Sequence, residues 1–141
     1  MDIGIALVQK CEAAREAGLT AAMVKETESD TTRLILASIF YADVKSGGFA
    51  KFVYNANGVY LPEMVDVLTA IGAENTNSHL DAVLNYCVSH HDDYVAFLEG
   101  DFTDSSFKEK LNALTESYEA SEAHMEIEAA DTLQKLLDHA K

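Results

Sequence analysis

Apolar residues recur at helical spacing along most of this 141-residue chain. Ile3, Leu7, Val8, Cys11 and Ala14 fall on one face of a first helix, and Gly18 predicts its end. Residues 20–32 are polar, with a short helix expected around Ala21–Lys25. A second helix, capped by Asp30 or Thr31, carries Leu34, Ile35, Phe40, Tyr41 and Val44. Its apolar positions are dense, which predicts a central and much buried element. The pattern runs into Gly47-Gly48, where a glycine can take positive φ with no Cβ penalty. It restarts at Phe49, Phe52 and Val53 and stops at the turn signal Asn57-Gly58.

Pro62 suits the first turn of the next helix, whose face is Met64, Val67, Leu68 and Ile71 before Gly72. Ser78 and Asp81 have capping-box spacing and precede Leu80, Val83, Leu84 and Cys87. Tyr94, Phe97 and Leu98 form a short amphipathic turn stopped by Gly100. Ser106 and Glu109 repeat the capping-box pattern ahead of Leu111, Leu114 and Tyr118. A last helix carries Ala129, Ala130, Leu133, Leu136 and Leu137, with Lys135, His139 and Lys141 placed to favour its negative end. No period-2 strand, internal repeat or low-complexity segment stands out. These patterns predict an all-α fold, a single compact domain of about six to eight helices built around Leu34–Val44 and the Phe49/Phe52 corner.

Composition agrees with that class. A 48% hydrophobic content is globular, and one Pro with seven Gly suits helices better than a many-turned β protein. Charge changes the picture more. The net charge is −14, and it is unevenly placed. Met1 to Lys51 holds seven acids against six bases, whereas Phe52 to Lys141 holds seventeen against four. Such a surface repels nucleic acid and anionic membrane and attracts basic partners; solubility alone also explains it. Cys11 and Cys87 lack C-x-x-C spacing and lie on apolar faces, which reads as buried free thiols in a reducing compartment. The start lacks the basic region and cleavage site of a signal peptide, and no apolar run approaches the ~20 residues of a membrane span. Cytoplasmic location is the expectation.

The stretch Asp43-Val44-Lys45-Ser46-Gly47-Gly48-Phe49, followed by Phe52, Asn55 and Gly58, resembles a bacterial DNA-mimic-protein family, otherwise a domain of unknown function. Ile71-Gly72-Ala73 is similar to a downstream element of the same family. Ser46 stands where the family usually has Asn, and Lys51 where it often has Gln. The resemblance covers the layout of residues 31–137, preceded by a helical N-terminal extension over 1–30. It implies an all-α fold and an acidic protein that occupies the DNA-binding face of another protein. Asp43, Gly47, Gly48, Phe49, Phe52, Asn55 and Gly58 also read as architecture. The glycines let one helix end while the next packs close, the phenylalanines fill the core, and Asn55 bonds loose backbone groups. Asp43 is either solvated or a cap for the restarted helix.

A DNA mimic needs carboxylates on a rigid surface with few cations among them. Phe52 to Phe107 contains nine acids and no Lys or Arg, and Leu111 to Gln134 contains six and again none. If one helix continues through Glu119, Glu122 and Glu126, these share a face at roughly 5–6 Å spacing, with Glu116 near the same stripe. Asp92, Asp93, Glu99, Asp101 and Asp104 could supply a second row, and Glu128 and Asp131 extend the first. These acids are the expected binding surface, and the expected partner is a basic DNA-binding protein. Direct nucleic-acid or membrane binding is not expected, and a homodimer is left open. A solvated acidic face remains the alternative.

Chemistry is thinly represented. Adjacent His90 and His91, beside Asp92 and Asp93, point about 100° apart on a helix and do not naturally share one ion. His124 and Glu128 are i, i+4, but two ligands do not make a site. Lys45 precedes the glycine pair and no G-K-[ST] follows, so no phosphate loop is present. No nucleophile, base and orienter can be named together. The expectation is a protein without enzymatic activity, cofactor or metal. Two other classes stay open: a helical binding module that uses an apolar groove near the Gly47–Gly58 corner, its acidity serving only solubility, and a hydrolase or metal protein using His79, His90, His91 and nearby acids.

Overall fold

A computed structural model describes residues 2–18 and 28–140. The helices are α1 (Ile3–Ala17), α2 (Asp30–Ala56), α3 (Leu61–Ile71), α4 (Glu74–Ser89), α5 (His91–Glu99), α6 (Ser106–Ala120), the single turn α7 (Met125–Glu128) and α8 (Ala130–His139). Among the described residues there is no strand. The expected all-α single domain is the observed one. The short helix expected around Ala21–Lys25 lies outside the described residues.

Helix α2 is the axis. It packs against α1, α3, α6 and α8, while α4 bridges α3 to α6. Leu36, Ile39, Phe40, Phe49 and Phe52 are all at most 1% exposed. Burying a side chain of this size contributes about 1.5–3 kcal/mol, so this row dominates the core. Phe40 meets Phe52 edge-on, with ring centroids 5.1 Å apart, and Phe49 meets Tyr118 at 5.6 Å. Helix α1 joins the same core through Leu7 and Cys11, at 0% and 2% exposure.

Most helix ends follow local chemistry. Asp2 accepts the Ile5 N–H at the start of α1, and Gly18 ends it at φ +80°. Pro62 occupies the first turn of α3, and Gly72 closes that helix in the left-handed region. Asn57 ends α2 at φ 48°. Other ends differ from expectation. Ser29 caps α2, not Asp30 or Thr31, and Ser105 caps α6 by accepting the Lys108 N–H, one residue before the expected Ser106. Helix α4 begins at Glu74, so Ser78 and Asp81 lie inside it and form no capping box. Its start is fixed from elsewhere in the chain, as described below.

Candidate interaction surface

The Gly-Gly-Phe stretch forms a sharp bend within α2. Gly48 takes φ +72° and ψ −170°, and only a residue without Cβ fits there: an added Cβ would lie 2.8 Å from Thr115 Oγ1. Thr115 completes the bend. Its Oγ1 accepts the Phe49 N–H at 2.8 Å and donates to the Leu111 carbonyl at 2.9 Å, tying α2 to α6. Gly47 makes room for the Lys51 side chain, since a Cβ there would come within 2.6 Å of it. Lys51 in turn donates to Ser46 Oγ at 2.8 Å. Ser46 and Lys51 therefore touch one another. Gly58 follows the left-handed Asn57 at φ +78°, completing the turn into α3.

Asp43 is neither solvated nor a helix cap. It is fully buried, and both its carboxylate oxygens accept from one nitrogen, Nη2 of Arg15, at 2.9 Å each. Asn55 donates from Nδ2 to Asp43 Oδ1 at 3.3 Å, so it serves this carboxylate and not the backbone at the corner. A buried carboxylate needs such partners, because an uncompensated charge in the interior is costly. Burial alone would lower the Arg15 guanidinium; the hydrogen bond and charge of Asp43 outweigh it, and the net shift is upward. Tyr60 beside them is pushed up to about 12, by burial first and the Asp43 charge second. Burial likewise raises the Cys11 thiol. The cluster locks α1 to both halves of α2. With Arg15 filling its centre, it is a structural joint.

The expected binding acids divide into two groups. Asp92, Asp93, Glu99, Asp101, Glu116, Glu119, Glu122 and Asp131 are exposed. Among the described residues, none of these forms an ion pair. Asp104 is also exposed and takes Lys108 at 3.3 Å, an open surface pair that contributes little. Lys108 is itself tied back by the Phe102 carbonyl at 3.1 Å and the Phe102 ring at 4.0 Å. Glu126 and Glu128 are half-buried. Glu128 accepts the Asn75 and Thr76 N–H groups at 3.0 and 2.8 Å and so caps α4 from 52 residues away, where anionic charge meets the positive helix end.

The continuous helix through Glu119, Glu122 and Glu126 does not exist. Helix α6 stops at Ala120, and the next turn starts at Met125. His124 makes the break, donating from Nε2 to the Tyr118 and Glu119 carbonyls at 3.1 Å each. Tyr118 secures it: its hydroxyl accepts the Met125 N–H at 2.9 Å and shares a 2.8 Å hydrogen bond with Thr76. Burial pushes that phenol up to about 12. Glu116 and Glu119 thus share the exposed face of α6 at i, i+3, while Glu122 stands in the following turn.

The histidines make structural contacts, and His79 and His124 both pack against the Tyr118 ring, at 5.3 and 4.9 Å. His79 donates to the Asn75 carbonyl at 2.9 Å, His90 stacks on Tyr86 at 4.1 Å, and His124 bonds the Tyr118 and Glu119 carbonyls while Glu128 bonds the start of α4. Among the described residues, no group of three or more His, Cys, Asp or Glu could hold a metal ion. Cys11 and Cys87 are both free and buried. Among the described residues, no helix is long and apolar enough to cross a membrane.

The family model for DMP19-like protein matches residues 25–139, which leaves α1 and Arg15 outside the match. No curated protein matches the chain. No solved structure matches it.

Proposed function

The chain belongs to the DMP19-like protein family, and on that footing we propose that it acts as a DNA mimic. In this reading it presents carboxylates to a basic DNA-binding protein and blocks or modulates that protein's hold on DNA. One observation supports the reading most: among the described residues, the exposed carboxylates of Asp92, Asp93, Glu99, Asp101, Glu116, Glu119 and Glu122 form no ion pair with Lys or Arg, and Asp104 alone of this stretch takes one, from Lys108. Side chains at i, i+3 on a helix lie roughly 5–6 Å apart, a spacing that a surface built for phosphates can engage. The carriers are Asp92, Asp93, Glu99, Asp101, Glu116, Glu119 and Glu122. Glu128 is excluded from the binding role because its oxygens are spent on α4. The partner reads charge, so binding weakens steeply as salt screens it over a Debye length of about 8–10 Å.

The test is the triple variant Glu116→Lys, Glu119→Lys, Glu122→Lys. All three side chains are exposed, so the melting temperature should stay close to that of the parent. The probe is the DNA-binding protein retained by the immobilised parent at low salt. The variant should fail to retain it. Retention equal to the parent's would remove these residues from the interface.

A further inference from the structure

An apolar groove adjoins the acidic surface near Asp92 and Asp93. Leu61 and Val65 of α3, Leu84 and Val88 of α4, and Tyr94 of α5 line, with Gly58, an open groove of about 500 Å³. Val88 is 78% exposed, and Val59, next to Gly58 in the chain, is 45% exposed. Burial of one such side chain is worth about 1.5–3 kcal/mol, so a partner that covers them has a driving force independent of charge. Acidic residues neighbour the groove residues in sequence. Asp66 follows Val65, Asp92 and Asp93 lie between the groove residues His91 and Tyr94, and Asp81 shares a helical stripe with Leu84 and Val88 at i, i+3, i+7. All four acids are exposed. From Phe52 to Phe107 there is no Lys or Arg at all.

We propose that this groove docks an amphipathic helix of a partner protein, with an apolar stripe at i, i+3/i+4, i+7 flanked by Lys or Arg. The apolar floor selects the stripe, as in helix-in-groove recognition, and the neighbouring exposed carboxylates, Asp81 above all, select the flanking cations. An acidic or wholly polar segment satisfies neither. The proposal does not rest on DNA mimicry, since carboxylates that stand in for phosphates have no need of apolar anchors.

Two synthetic Leu/Lys peptides of equal composition test it by fluorescence anisotropy. One places its leucines at i, i+3, i+4, i+7; the other spreads them around all faces. The first should bind the full chain roughly tenfold tighter. Val88→Glu should erase that preference although it adds a negative charge. Val88 is exposed, and an unchanged melting temperature checks the variant's fold. Equal binding of the two peptides overturns the proposal, as does amphipathic-peptide binding as tight or tighter in Val88→Glu; either leaves charge alone. Sedimentation showing a dimer that Val88→Glu converts to monomer also overturns it, because the occupant is then a second copy. The Glu116/Glu119/Glu122 reversal should weaken both peptides alike and leave their ratio, so failure of the groove and failure of mimicry give different results.

Discussion

Replacing Gly48 by alanine tests the bend on which the fold turns. Gly48 occupies φ +72°, ψ −170°, a region open to glycine that costs other residues about 1–3 kcal/mol. The new Cβ would also lie 2.8 Å from Thr115 Oγ1 and 2.9 Å from its Cγ2. Thr115 cannot yield freely, because its hydroxyl is held between the Phe49 N–H and the Leu111 carbonyl. Pushing it aside leaves the buried Phe49 N–H unpaired, which adds about 1–3 kcal/mol. Together the loss is about 2–6 kcal/mol out of the 5–15 typical of a domain. Gly72 supplies the control. It sits at φ +79° with nothing within 4 Å of an added Cβ, so Gly72→Ala should cost only about 1–2 kcal/mol. Urea unfolding followed by far-UV circular dichroism measures both. Equal losses at the two glycines would refute the role given to Thr115 in closing the bend.

Arg15→Ala strands the Asp43 carboxylate with Asn55 alone and should cost about 2–3 kcal/mol, near the low end for breaking a buried pair because Arg15 is 43% exposed. Asp43→Asn, which removes the charge, should cost less in the same unfolding assay; the reverse order would contradict the burial logic. Glu128→Ala should destabilise by about 1–2 kcal/mol through its two lost caps, while Glu122→Ala stays within about 0.5 kcal/mol of the parent. Similar melting temperatures for those two variants would remove the distinction between structural and free acids. Alkaline stability follows from burial as well. Cys87 is pushed up to about 11 from 9.0, and Tyr60 and Tyr118 up to about 12 from 10.0. The unfolded chain loses these protons at lower pH than the folded one, so stability should hold below pH 9 and fall progressively between 9 and 12. A urea midpoint flat through pH 11 would contradict it.

The helix punctuation was legible where it is made by neighbours in sequence. Gly18, Gly48, Asn57, Pro62 and Gly72 each act within their own turn of chain, through φ or a missing N–H, and each stands where the pattern places it. Features made across the chain were not legible. Glu128 caps α4 from 52 residues away, and without that partner Ser78 and Asp81 look like a nearer start. Arg15 meets Asp43 across 28 residues, so Asp43 alone reads as a surface or capping acid. The break after Ala120 has neither Gly nor Pro to announce it; a histidine and a tyrosine hydroxyl satisfy the loose backbone groups in their place. The acidic surface was visible as composition, but which acids are free and which are structural depends on these long-range contacts.

Mimicry is tested most directly by competition. The parent protein is immobilised and loaded at low salt with lysate of its source cells, and the retained protein is challenged with duplex DNA and, separately, with an uncharged polymer at equal mass. The account predicts release of one basic DNA-binding protein by duplex DNA and not by the polymer, and no retention by the Glu116/Glu119/Glu122 reversal. A retained protein that duplex DNA leaves in place, or that the reversal variant retains equally, would contradict it.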